Sequence, residues 1–350
     1  MNLAAIVTTA LLTVLLMLVF RPLAHAIGLV DRPGGRKRHV GEIPIIGGSA
    51  MFLGVIVGLV LLPDEGANLY LLITAGFVLV VVGLVDDRFG LPATLRLVAQ
   101  FVAVLIMVYG ADIVMRDIGN PLWIGTIRLG PFALLTTALI FSSVINAYNM
   151  IDGLDGLAGS MVMVALIAIA FVSGSGTSTE SMALVVAAAV AGYLVFNLPL
   201  GERRPYRAFM GDAGSTFLGL CVVWLTVSIC QGNDRIISPV HGLWFAALPI
   251  FDLFTVFVRR AVSGRSPFGS GRDHFHHILR EAGMSVPLVV ATLVSLQSLY
   301  AAFGVASLRW GIEEPLVFTV WAVLGIGQLW VVRRIGAIYL RATNQTINPI

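Results

Sequence analysis

The 350-residue chain is 58% hydrophobic and only 12% charged, with a mean hydropathy of +0.93; soluble domains carry roughly 25% charged residues. A soluble protein is thereby excluded. A net charge of +3 and a pI near 9.1 do not call for nucleic acid, because basic loops that set membrane orientation and attract anionic lipid explain the same excess.

A bilayer-crossing helix needs about 20 apolar residues. Runs of this kind fall at approximately 3–20, 45–62, 69–85, 93–110, 131–148, 157–173, 181–197, 213–230, 238–258, 287–307 and 315–332. They predict an all-α polytopic membrane protein of about 11 transmembrane helices, one integral-membrane domain over residues 1–350. The first run has no basic n-region or small-residue cleavage site, so it reads as a retained span rather than a signal peptide. Cytoplasmic loops carry excess Lys and Arg. Placing Arg21 to Arg38, Arg88 with Arg96, Arg203 to Arg207, Arg259 to Arg280 and Arg333 to Arg341 on one side gathers 18 of the 22 basic residues there. An odd number of spans then leaves the N-terminus periplasmic and the C-terminus cytoplasmic. Cys221 and Cys230, nine residues apart on one expected helix, lie about 13 Å apart along its axis, too far for a disulfide.

The unusual polar residues fall in the loops of that same side, 21–45, 86–92, 146–156, 197–215 and 259–286. The first carries Lys37-Arg-His39 and Ile43-Pro-Ile-Ile-Gly-Gly48. Asp86-Asp87 closes the third span; neighbouring helical positions diverge by about 100°, so at most one is expected to point straight at a given ligand. Alone, such a pair would simply mark a solvated helix end.

Asn146, Asn149 and Asp152 recur every third residue and share one broad helical face, with Asp155 following between glycines. Amide and carboxylate oxygens suit a hard cation: magnesium takes one or two protein groups and completes its shell with water and substrate phosphates. Phe209-Met-Gly-Asp212-Ala-Gly-Ser offers a further carboxylate at the mouth of the eighth span, where Asp212 reads equally as a helix N-cap. His274-Phe-His276-His277 lies among Arg259, Arg260, Arg265 and Arg272, a setting suited to anions; zinc would want additional N or S ligands. Asp252, about 9 Å inside the ninth span, is expected to pair with a loop arginine or to face the cleft. His25 and His241 flank spans without polar company and read as interfacial.

Carboxylates, amides, imidazoles and glycines gathered on one side describe an enzyme working at the membrane surface. A transporter would place ionisable groups at mid-span. A divalent cation and basic loops would bring two phosphate-bearing partners together, one soluble and one in the lipid.

Five motifs, Lys37-Arg-His39-Val-Gly-Glu-Ile-Pro-Ile-Ile-Gly-Gly48, Asp86-Asp87-Arg-Phe, Asn146-Ala-Tyr-Asn149-Met-Ile-Asp152-Gly-Leu-Asp155-Gly-Leu, Phe209-Met-Gly-Asp212-Ala-Gly-Ser-Thr and Ser266-Pro-Phe with Arg272-Asp-His274-Phe-His276-His277, stand in an order that resembles the polyprenyl-phosphate N-acetylhexosamine-1-phosphate transferases. The resemblance covers nearly the whole chain. Ser-Pro-Phe and the interrupted histidines look like the branch that passes GlcNAc-1-phosphate to undecaprenyl phosphate. Phe275 departs from the isoleucine usual there, and its interruption of the histidines departs further from the peptidoglycan branch.

The resemblance implies transfer of GlcNAc-1-phosphate from UDP-GlcNAc to undecaprenyl phosphate, with release of UMP. It would make this the first membrane step of O-antigen or common-antigen synthesis, at the cytoplasmic face of the bacterial inner membrane. Another UDP-N-acetylhexosamine is the alternative donor, and a lipid-phosphate or ion transporter the remote alternative. The resemblance further implies Mg2+, which Mn2+ could replace, on Asn149 and Asp212, and catalytic roles for Asp86, Asp87, Asp152 and Asp155. Nucleotide and sugar contacts would come from Lys37, His39, Asn146, Phe209, Arg272, His274, His276 and His277. Direct attack and an aspartyl intermediate both stay open, as does assembly into a homodimer; no nucleic acid is expected.

Overall fold

The computed structural model describes residues 2–33, 41–63, 66–201, 206–232, 235–266, 271 and 273–342. All eleven apolar runs fall on helices. Among the described residues nine helices are long and apolar enough to cross a membrane, so this is a multi-pass, helical membrane protein.

In chain order the first helices are α1 (Leu3–Ile27), α2 (Gly47–Val60), α3 (Gly66–Phe89) and α4 (Ala93–Leu105), the last running on as a π-turn over Ile106–Gly110. Then come α5 (Ala133–Ile151), α6 (Leu157–Ser173), α7 (Ser178–Asn197) and α8 (Gly211–Cys230). The candidate span Pro239–Val262 is built from α9 (Pro239–Gly242), a 3-10 turn over Leu243–Ala246, and α10 (Ala247–Val262). The short α11 (Phe275–Glu281) and the long α12 (Val286–Arg309) and α13 (Glu314–Ala342) complete the chain. The sole departure from an all-helical reading among the described residues is a two-residue antiparallel ribbon, β1 (Val30–Asp31) with β2 (Ile43–Pro44), and two isolated bridges.

Burial identifies the centre. The apolar window of α8 is 83% buried, against 22% for α1 and for α13, and α8 packs on α2, α3, α5, α6 and α7. Such contact demands small residues. A Cβ on Gly48 would lie 2.3 Å from the backbone nitrogen of Gly214, so only glycine lets the start of α2 meet the start of α8 at that distance. The Ile43-Pro-Ile-Ile-Gly-Gly48 motif is therefore scaffolding. The chain around Phe209 runs beside it, with Phe209 N–H donating to Pro44 O, Gly47 N–H to Phe209 O and Gly48 N–H to Met210 O.

Two apolar helices fall short of a 30 Å hydrocarbon core: α2 has 14 residues and α6 has 17, about 21 and 26 Å long. Each starts from a polar motif, α2 after the ribbon and α6 after Asp152–Gly156.

The Pro239–Val262 span breaks because Pro249 has no N–H and its ring crowds the carbonyl four residues back. Gln297 of α12 repairs the break. Its side-chain nitrogen donates to Phe245 O at 2.9 Å and Trp244 O at 3.2 Å, and its oxygen accepts Leu248 N–H at 2.9 Å. Buried backbone groups are satisfied this way because leaving each unpaired costs about 1–3 kcal/mol. The segment below the break, α10, is thereby fixed in a position that matters to the histidine loop.

Cys221 and Cys230 are buried free thiols. His241, read as interfacial, is instead buried at 5% exposure in α9, while His25 lies 3.7 Å from Glu42. Burial of His241 follows from α9 turning inward under α12 and α13.

Candidate active site

The ends of α3 and α5, the start of α8 and the loop after α5 meet at one end of the bundle. Asp86 and Asp87 close α3, and their side chains diverge as adjacent helical positions should. Asp87 reaches α8: its Oδ1 accepts Asp212 N–H at 2.8 Å and its Oδ2 accepts Ala213 N–H at 3.3 Å. These are free amides of the first helical turn, and a negative charge there is also favoured by the helix dipole. Asp212 is accordingly not the cap of its helix, as the sequence allowed; Asp87 caps it from outside.

Asp86 turns the other way. Its Oδ1 accepts Leu91 N–H at 2.5 Å, and its Oδ2 pairs with Arg96 Nη1 at 3.2 Å. The same guanidinium nitrogen lies 3.4 Å from Asp212 Oδ2. Arg96, on α4, thus stands between two carboxylates, a role its sequence position did not disclose. A cation one turn into an apolar helix needs a partner, and that was the available signal.

Asn149 donates its amide N–H to Asp212 Oδ1 at 2.7 Å and to Ser215 Oγ at 2.9 Å. Asn146 points elsewhere. It exchanges amide hydrogen bonds with Gln100 of α4 at 2.9 and 3.3 Å and donates to Ser142 O, so it ties α5 to α4 three residues above the metal candidates.

Asp152 follows the last turn of α5. Burial, then the charges of Asp212, Asp87 and Asp155, push its carboxyl up to about 8. Carboxyl groups close enough to influence one another disfavour each other's ionisation, which is why Asp152 keeps its proton to a higher pH. Asp155 has compensation: Arg207 Nη2 approaches its two oxygens at 2.7 and 2.9 Å. Arg207 also lies over the Phe209 ring, 5.0 Å from its centre, a cation–π contact that ties Phe209 to the Asp155 loop.

The histidine loop joins from the far side. His276 is fully buried, and its ring packs so closely on Gly153 that a Cβ there would lie 2.2 Å from Nε2. Among the described residues neither ring nitrogen has a hydrogen-bond partner. Burial, with His277 and His274 alongside, holds the imidazole well below the usual histidine range, so it is neutral. Arg259 and Arg260 do not serve as open anion contacts. They are 5% and 2% exposed and turn inward, Arg259 donating to Asp273 O at 3.1 Å and Arg260 to Asp273 Oδ2 at 3.0 Å. Desolvated guanidinium groups at that depth need such partners. Lys37, His39 and Arg272 lie outside the described residues.

A cavity of about 460 Å³ opens between the exit of α1 at Gly28, the ribbon residues Val30 and Asp31, Ile45 just after the ribbon, and Asp86, Asp87 and Asp212. Arg32 and Arg88 flank it. Its size suits a small ligand or a headgroup.

Among the described residues no three His, Cys, Asp or Glu side chains form a ready-made metal cage. Magnesium does not need one, since one or two carboxylates plus substrate phosphates suffice. Asp86 and Asp212, drawn together around Arg96, fit that requirement. Asn149 fits after its carboxamide turns over, because the nitrogen now faces Asp212 and only the oxygen can bind a cation.

A single-ended cluster of carboxylates on an apolar helical bundle defines a membrane enzyme, and comparison with known proteins places it. Residues 69–230 match glycosyl transferase family 4, and the chain belongs to that family. It is 35% identical over 304 residues to the undecaprenyl-phosphate alpha-N-acetylglucosaminyl 1-phosphate transferase of Escherichia coli strain K12, spanning 86% of this chain and 82% of that one. The protein of the same name from Yersinia pestis is 34% identical over 295 residues, 84% and 80% of the two chains. That of Haemophilus influenzae is 33% identical over 324 residues, 91% of each.

Proposed function

We propose that this protein transfers GlcNAc-1-phosphate from UDP-GlcNAc to undecaprenyl phosphate, yielding the diphosphate-linked lipid sugar and UMP. The observation that carries the reading is the meeting of Asp86, Asp87, Asn149 and Asp212 at one end of the helices, in a chain a third identical to enzymes of that name across most of its length. A transporter would hold its ionisable groups at mid-span.

In this reaction an oxygen of the lipid phosphate forms a bond to the sugar-linked phosphorus. The bond from that phosphorus to the bridging oxygen breaks, and UMP departs with the electron pair. Phosphoryl transfer rests on positioning and charge stabilisation. Two like unit charges 4 Å apart repel by about 4 kcal/mol at an effective dielectric of 20, so the encounter requires cations. Magnesium held by Asp212, Asn149 and Asp86 would neutralise diphosphate charge. Arg96 would supply a fixed positive charge beside it, and the neutral His276 and its neighbours would contact the sugar diphosphate with Lys37, His39 and Arg272. Arg207 would keep Phe209 and Asp155 in place beside the nucleoside.

The same proposal sets all eleven apolar helices across the bacterial inner membrane as one domain, N-terminus periplasmic and C-terminus cytoplasmic. Loops 21–45, 86–92, 146–156, 197–215 and 259–286 then form the cytoplasmic catalytic face, with a homodimer compatible with the arrangement. The test is UMP release from a panel of UDP-sugars by purified protein with undecaprenyl phosphate and magnesium. UDP-GlcNAc should be the preferred donor and a chelator should stop turnover. No UMP from any donor would sink the proposal.

A further inference from the structure

Asp252 belongs to none of the five motifs, yet it is 2% exposed and both carboxylate oxygens are committed to the histidine loop. Oδ2 lies 2.8 Å from His274 Nδ1, and Oδ1 accepts Phe275 N–H at 2.7 Å. Seven residues, two helical turns, separate Asp252 from Arg259 on α10, so both project from one face. Arg259 grips the Asp273 carbonyl at 3.1 Å. Three consecutive loop residues, Asp273, His274 and Phe275, are thus held by one rigid helix, itself braced by Gln297 at its upper end.

We infer that Asp252 is a positioning residue for the transfer reaction: it fixes the tautomer and orientation of His274 and, through the start of α11, the placement of His276 against Gly153. The inference rests on the proposed function and deepens it. A carboxylate only accepts hydrogen bonds, so Nδ1 of His274 carries a proton and donates it to Asp252. The His274 ring stacks on the His276 ring, with centres 5.7 Å apart and planes 15° from parallel. Turning one ring therefore disturbs the other. A plain helix cap would account for the bond to Phe275 N–H; the second bond, to the ring, is what a cap does not require. Outer partners of this kind, in metal sites, typically change activity by about 10- to 100-fold when removed.

The test uses Asp252→Asn in the full-length protein in detergent, assayed with UDP-GlcNAc, undecaprenyl phosphate and magnesium. Asparagine keeps an oxygen for Phe275 N–H but presents an NH2 to His274 Nδ1, which reverses the tautomer. The expected result is kcat/KM for UDP-GlcNAc lower by about 10- to 100-fold, with an unchanged melting temperature and an unchanged KM for undecaprenyl phosphate. In a His274→Gln background, Asp252→Asn should produce no further loss. A kcat/KM within twofold of the parent, or an equal loss in both backgrounds, overturns the inference. If Asp252→Asn does not fold, His274→Asn decides: it keeps a donor for Asp252 but loses the ring, so it should fold normally and turn over about 10- to 100-fold more slowly. Full turnover there overturns the inference as well. Absence of UMP release by the unaltered protein would instead overturn the proposed function, so the two failures are separable.

Discussion

The carboxylate of Asp87 accepts the backbone N–H of Asp212 at 2.8 Å, so the aspartate that ends one helix fixes the height and direction of the aspartate that begins another. Two adjacent carboxylates in the sequence therefore do different work. Asp86 shares Arg96 with Asp212, while Asp87 holds the first turn of α8. Loss of a helix cap costs about 0.5–2 kcal/mol. Asp87→Ala should lower the melting temperature of the detergent-solubilised protein, and Asp87→Asn, which keeps an acceptor for Asp212 N–H but turns an NH2 toward Ala213 N–H, should recover only part of it. Equal melting of the parent and the alanine variant would remove the capping role.

Arg96 makes a second prediction with an unusual sign. Its Nη1 sits 3.2 Å from Asp86 and 3.4 Å from Asp212, where it competes with any cation those carboxylates would bind. Arg96→Gln should stabilise the protein at lower magnesium concentrations than the parent requires, as read by melting temperature across a magnesium titration. Turnover should nonetheless fall, because the charge that faces the transferred phosphate is gone. A magnesium requirement that rises in the variant would show that Arg96 aids cation binding.

The positions of the helices were legible because hydrophobic runs of this length have one physical explanation, and each run coincides with a helix, nine of which, among the described residues, are long and apolar enough to cross a membrane. The meeting of Asp86, Asp87, Asn149 and Asp212 was legible too. What the sequence concealed was which partner each group would choose. Arg259 and Arg260 read as part of a setting suited to anions around the histidines, yet they point inward because α10 lies against the loop whose Asp273 they hold. Asp252 was expected to meet an arginine or the cleft and meets a histidine instead. Such choices depend on distances between helices remote in sequence, which no local pattern encodes. Gly48 shows the same gap: its motif was visible, but only packing reveals that it exists to bring α2 onto α8.

Asp152 gives stability a defined dependence on pH. Its carboxyl is raised from 3.8 to about 8, chiefly by burial. The folded protein therefore keeps a proton that the unfolded chain has released, and the contribution of this group to stability is lost as pH rises from about 4 to about 8, at up to about 1.4 kcal/mol per pH unit. Asp152→Asn carries no such proton. Its melting temperature minus that of the parent should increase steadily from pH 5 to pH 8 and level off above it. A difference that is flat across this range would mean that the carboxyl titrates normally.

Contact between Gly153 and His276 can be tested without reference to catalysis. A Cβ added at Gly153 would lie 2.2 Å from His276 Nε2, far inside any tolerable separation, and the ring is fully buried with His274 and His277 beside it. It has no room to retreat. Gly153→Ala should therefore destabilise the protein, on the scale of about 1–3 kcal/mol seen when a packed interior is overfilled. Truncating the ring removes the obstacle, so Gly153→Ala added to His276→Ala should cost little more than His276→Ala alone. Residues in direct contact depart from additivity by about 0.5–3 kcal/mol, which melting measurements on the four proteins of the cycle can resolve. Strict additivity would place the histidine away from the Asp152 loop, and the site would then be split into two halves that do not meet.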